Sequence, residues 1–145
     1  MRVLTGLAIL IAEDQVLLAL DLAAAVEEQG GVVIGPVANV AEALVLAETG
    51  PIAAAILDAN LLDRDVTPLA LHLIERGIPL VIHTGTGLPD ALARAHPDLA
   101  VVMKPVPPEL VLEALDREIA RKAGGGSFIE AQTIRLDMPG PGDAT

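Results

Sequence analysis

Cysteine, tryptophan and tyrosine are absent from the 145 residues, and there is a single phenylalanine, Phe128. Without cysteine, disulfides, thiolate metal centres and cysteine nucleophiles are all excluded. Without aromatic platforms there is nothing on which nucleic-acid bases could stack. Basic residues are scarce as well, nine against twenty acidic ones, for a net charge of −11. Such a surface repels phosphate backbones, so no direct nucleic-acid binding is expected, and proteins or cations are the natural partners. Long apolar runs are also missing. The stretch from Met1 to Ala12 is apolar but short, carries Arg2 and runs straight into Glu13-Asp14. It reads as a buried strand rather than a signal peptide. No run approaches the roughly 20 residues of a membrane span, so no membrane contact and a bacterial cytoplasmic location are expected.

What is present is small and aliphatic. Hydrophobic residues make up 52% of the chain, nearly all of them Ala, Leu, Val and Ile. That length and composition suit one domain with helices packed closely on a buried sheet. Short apolar runs at Leu7–Ala12, Val32–Val37, Ala53–Leu57, Leu80–His83 and Ala100–Met103 read as strands 1 to 5. Amphipathic stretches at Gln15–Gln29, Val40–Glu48, Pro68–Arg76, Pro89–His96 and Pro108–Lys122 read as helices 1 to 5.

The punctuation agrees with this division. Asn39 with Glu42 has the pattern of a capping box, and Thr67-Pro68 that of a cap followed by a first-turn proline. Gly30 and Gly77 stand where left-handed C-terminal caps belong. Five strand–helix repeats imply an α/β domain with a doubly wound parallel sheet. The flavodoxin-like (βα)5 order 2-1-3-4-5 is expected. That domain spans residues 1–122. Residues 123–145, opening on Gly124-Gly125-Gly126 and closing near Pro139-Gly140-Pro141-Gly142, are expected to form a flexible tail. Phe128, Ile129, Ile134 and Leu136 leave open whether part of it docks.

Ligands of open parallel sheets bind beyond the carboxyl ends of the strands. Strand 1 ends in Glu13-Asp14, strand 3 in Asp58, strand 4 in Thr84 and strand 5 in Lys104. Each alone has an ordinary reading as a cap, a turn or a solvated loop residue. Together, on adjacent strands, they form a chemical set. A carboxylate attacks phosphorus poorly unless the phosphoryl oxygens are neutralised. Carboxylates suit Mg2+, which takes hard oxygen ligands. A lysine supplies a point charge, and a threonine hydroxyl a hydrogen-bond donor, for phosphoryl oxygens.

With Glu13-Asp14, Asp58-Ala59-Asn60-Leu61, Thr84-Gly85 and Lys104-Pro105 in this order, the sequence resembles the receiver domains of two-component response regulators from Leu7 to Lys122. The resemblance implies Asp58 as phosphoacceptor and Mg2+ held by Glu13, Asp14, Asp58 and the Asn60 backbone carbonyl. Thr84 and Lys104 would contact the phosphoryl group. Gly85 would leave room for its entry, and the Lys104-Pro105 bond would be cis. It also implies a phosphoryl-accepting signalling domain rather than an enzyme, with self-phosphorylation and self-dephosphorylation chemistry. Its donor would be a sensor histidine kinase or histidine phosphotransfer protein. A downstream protein or a second copy would use the helix 4–strand 5–helix 5 face.

Two departures stand out. Val101 occupies the place of the usual switch aromatic, and Thr84-Gly85-Thr86-Gly87 resembles an alphaproteobacterial single-domain subgroup that lacks it, with Ile82-His83 in place of the usual Phe-Ala. His83 itself reads as a half-buried strand histidine bonded to the backbone. The alternative is a phosphorylation-independent pseudo-receiver acting as an interaction module. An aspartyl-phosphate hydrolase needs a second acid where Asn60 stands, and Gly85-Thr86-Gly87 lacks the third glycine of a dinucleotide fingerprint.

Overall fold

A computed structural model describes residues 4–124. The expected tail lies almost wholly outside the described residues. Helix α5 continues through Ala123 to Gly124, two residues past the expected boundary.

The elements run β1 (Ala8–Ala12), α1 (Val16–Glu28), β2 (Val32–Val37), α2 (Val40–Thr49), β3 (Ala54–Asp58), α3 (Thr67–Glu75), β4 (Leu80–Thr84), α4 (Asp90–Ala95), β5 (Val101–Met103) and α5 (Pro108–Gly124). All strand pairs are parallel, in the order β2-β1-β3-β4-β5. The flavodoxin-like topology is therefore present, and the element boundaries agree to within a residue or two of those read from the sequence.

Alternation along the strands separates two apolar layers. Leu10, Ala12, Ala55, Leu57, Leu80 and Ile82 face α2 and α3, with Leu92 of α4 closing the end. Ile9, Ile11, Ala54, Ile56 and Val81 face α1 and α5, against Leu22, Val26, Val111, Leu112 and Leu115. Buried alanines at Ala25, Ala43, Ala47, Ala54, Ala55 and Ala70 leave little between helix and sheet backbones. Because side chains alternate with a period of two, Asp58 continues the row of Ala54 and Ile56, and His83 that of Val81. Both therefore project on the α1/α5 side, at the carboxyl edge.

Several local signals act as expected. Asn39 Oδ1 accepts the Glu42 backbone N–H at 2.8 Å and caps α2. Gly30 and Gly77 are left-handed, with φ of 84° and 73°. The Thr67 cap is corrected: Val66 is the cap residue, and Asp65 Oδ1 accepts the Thr67 N–H at 2.8 Å. An acid two residues upstream reaches the exposed N–H better than the threonine's own hydroxyl can. Edge strand β2 carries a register shift between Ile34 and Val37. Gly35 sits there at φ 97°, where a Cβ would meet the Ile11 carbonyl oxygen at 3.0 Å. Glycine suits both the backbone angle and the close approach.

Candidate functional site at the carboxyl edge of the sheet

The strand ends bring Glu13, Asp14, Asp58 and Lys104 together. Glu13 is 3% exposed and Asp58 7%, although both are acids at a strand end. Lys104, one residue past β5, reaches back across β4. Its Nζ lies 3.1 Å from Glu13 Oε1 and 3.2 Å from Asp58 Oδ2. Its anchor is the Lys104 backbone N–H donating to the Thr84 carbonyl at 2.8 Å, and the following Lys104-Pro105 bond is cis as expected. Carboxylate oxygens of Glu13, Asp14 and Asp58 lie within 4.8 Å of one another, with Asp14 partly exposed at the mouth.

Electrostatics mark the cluster as short of positive charge. Burial pushes the Glu13 carboxyl up to about 7, and the nearby Asp58 charge adds to this. Glu13 Oε2 accepts the Gln15 N–H at 3.1 Å. Glu13 Oε1 is buried and has no hydrogen bond among the described residues, its approach to Lys104 being an ion pair outside hydrogen-bond geometry. Burial works to lower the Lys104 ammonium, but Glu13 and Asp58 outweigh it and hold that group above its ordinary value. Three carboxylates with oxygens within 4.8 Å of one another, and only one ammonium among them, are a donor set that fits a hard divalent cation.

Asn60 belongs to the same site. Its backbone N–H donates to Asp58 Oδ1 at 3.4 Å, and its side-chain amide donates to Thr86 Oγ1 at 3.3 Å. Thr84 is buried at the end of β4, but its hydroxyl bonds within its own loop, to Thr86 and Gly87. Gly85 is exposed, and a Cβ built on it would meet nothing within 4 Å. No neighbour within the described residues therefore demands glycine there.

The reading of His83 is corrected. The side chain is 1% exposed, and neither ring nitrogen has a hydrogen-bond partner among the described residues. Burial, helped by the Lys104 charge, lowers its proton affinity, so the ring is held neutral. One contributor is not evident in the sequence. Asp63, in the loop after β3, accepts the backbone N–H of Val40 at 2.7 Å and of Ala41 at 3.1 Å. That carboxylate ties the loop carrying Asn60 to the start of α2. An acid in a loop offers no pattern pointing to a helix twenty-three residues away.

No family model matches the sequence, and no curated protein does. Solved structures do match. SdrG from Sphingomonas melonis Fr1 is 38% identical, with a TM-score of 0.63 over 76% of this chain and 96% of that one. A CheY-like response regulator receiver domain protein from Methanospirillum hungatei JF-1 is 24% identical, with a TM-score of 0.72 over 82% of this chain and 98% of that one. The chain belongs to the CheY-like response regulator receiver family. A response regulator receiver protein from Sinorhizobium medicae WSM419 shares the fold at 21% identity and a TM-score of 0.69, covering 81% of this chain and 97% of that one. Among the described residues of this receiver, no helix is long and apolar enough to cross a membrane.

Proposed function

We propose that this receiver accepts a phosphoryl group on Asp58 from a histidine kinase or histidine phosphotransfer protein, as a cytoplasmic phosphorelay component. The observation that carries the reading is the Lys104 ammonium, 3.2 Å from the Asp58 carboxylate inside the cluster of Glu13, Asp14 and Asp58. A carboxylate oxygen of Asp58 forms the new bond to phosphorus as the donor's bond to phosphorus breaks, and the leaving group carries that electron pair away. Lys104 neutralises a phosphoryl oxygen, and Thr84 donates its hydroxyl to another. Glu13, Asp14, Asp58 and the Asn60 carbonyl would hold Mg2+, which when bound neutralises phosphoryl charge. Water attacking the same phosphorus breaks its bond to the Asp58 oxygen, returning the free carboxylate and releasing inorganic phosphate. The domain is thus a switch that consumes its phosphoryl group rather than an enzyme acting on a separate substrate.

The Thr84-Gly85 motif, Val101 in place of an aromatic and the 38% identity to SdrG support placing the chain with the alphaproteobacterial single-domain receivers. Val101, Met103 and Leu110 expose apolar surface on β5 and α5, which suits a docking face for a downstream protein or a second copy.

The test is incubation of the full chain with acetyl phosphate and Mg2+, read by intact mass. Wild type gains one phosphoryl group, and Asp58→Asn gains none while keeping its circular dichroism. An unmodified wild type that still binds its partner would support the phosphorylation-independent module instead.

A further inference from the structure

Thr84 has the hydroxyl that should meet the phosphoryl group, yet that hydroxyl is fully committed elsewhere. It accepts the Thr86 N–H at 3.0 Å, donates to the Gly87 carbonyl at 3.3 Å and lies 3.3 Å from Thr86 Oγ1. A hydroxyl has one proton and two lone pairs. With its proton on Gly87, Thr84 must accept from the Thr86 hydroxyl. Thr86 in turn accepts the Asn60 side-chain amide at 3.3 Å. Every proton then points one way, from Asn60 through Thr86 and Thr84 to Gly87, and Thr84 has no bonding capacity left for a phosphoryl oxygen.

A bond from the N–H two residues on to a threonine hydroxyl is ordinary turn chemistry. The link from Thr86 to Asn60 is different, because it joins two loops twenty-six residues apart in sequence. Asn60 also contacts Asp58 through its backbone N–H, so the chain of bonds runs from the acceptor residue to the switch hydroxyl. Gly87, at φ 91°, closes the turn that supplies the final carbonyl.

We propose that Thr86 is a positioning residue that parks the Thr84 hydroxyl away from Asp58, with the Asn60 amide as its tether, and so sets the fraction of molecules ready for the phosphoryl group. The proposal rests on the assignment of Asp58 as acceptor. Apparent affinity scales with the fraction of molecules in the competent conformation. One neutral hydrogen bond shifts such an equilibrium by a factor of about 2–10. Thr86→Val removes both hydroxyl bonds and keeps the branched shape and the backbone N–H. It therefore enlarges the competent fraction.

The experiment is calorimetric titration of beryllofluoride, a phosphoryl mimic, into the Mg2+-loaded full chain, with Mg2+ alone as the parallel titration. Thr86→Val is expected to bind beryllofluoride about 2–10-fold more tightly than wild type, with Mg2+ affinity unchanged. Thr86→Ser restores the wild-type value. Asn60→Ala, which keeps its backbone carbonyl, gives a similar gain, and combining it with Thr86→Val adds nothing further, because both break one chain of bonds. Unchanged or weaker beryllofluoride binding by Thr86→Val, beside a wild type that binds it, overturns the parking role and leaves the acceptor assignment standing. A wild type that binds no beryllofluoride in the presence of Mg2+ overturns both. A parallel change in Mg2+ affinity makes Thr86 a structural support and overturns the proposal.

Discussion

Glu13 makes the metal-free receiver's stability depend on pH in a direction that can be worked out. The residue is 3% exposed, and burial raises its carboxyl from 4.5 to about 7. The folded state therefore holds this proton more tightly than the unfolded chain does. The stabilisation is complete below pH 4.5 and is lost as pH rises through about 7. At about 1.4 kcal/mol per pH unit, the displacement corresponds to about 3 kcal/mol as an upper figure. Other acids titrate too, so the informative quantity is the difference between wild type and Glu13→Gln, whose neutral amide cannot ionise. Urea unfolding should be followed by far-ultraviolet circular dichroism from pH 5 to 8 in chelator, since the chain has no Trp or Tyr for fluorescence. Wild type is expected to lose ground steadily against Glu13→Gln across that range. A difference constant in pH, or one that grows in favour of wild type, would refute the argument that burial governs this carboxyl.

Two further predictions concern the core. His83→Leu should stabilise the fold by about 1–3 kcal/mol, because it removes two buried ring nitrogens with no partners. His83 is also held below its ordinary proton affinity, so wild type loses stability as pH falls from 6.5 through the lowered value, and the variant should lack that loss. A less stable variant in urea melts would show that the ring makes contacts the nitrogens' isolation conceals. Leu57→Ala, in the buried central strand between Ala12 and Ile82, should cost about 2–5 kcal/mol. A urea midpoint within error of wild type would mean that the layer facing α2 and α3 collapses freely around the lost methyls.

Much of this protein is local, and local features are legible in one dimension. Strand β3 is a short apolar run ending in Asp58, α2 opens on Asn39, and Gly30 and Gly77 end helices. Each follows from a residue's own steric and hydrogen-bonding preferences. Five such repeats constrain the topology, because parallel strands need crossovers of one hand. Topology alone then brings Glu13, Asp14, Asp58, Thr84 and Lys104 to a single edge. What the residues do to one another there was not legible. The sequence could not say that Lys104 reaches both Glu13 and Asp58, that the Glu13 carboxyl rises to about 7, or that His83 is sealed in without a bond. Nor could it link Asp63 to α2 or Asn60 to Thr86. These depend on distances of a few ångströms between side chains from different strands and loops. Burial and Coulomb interactions change steeply over that scale, and only the packed tertiary structure decides them.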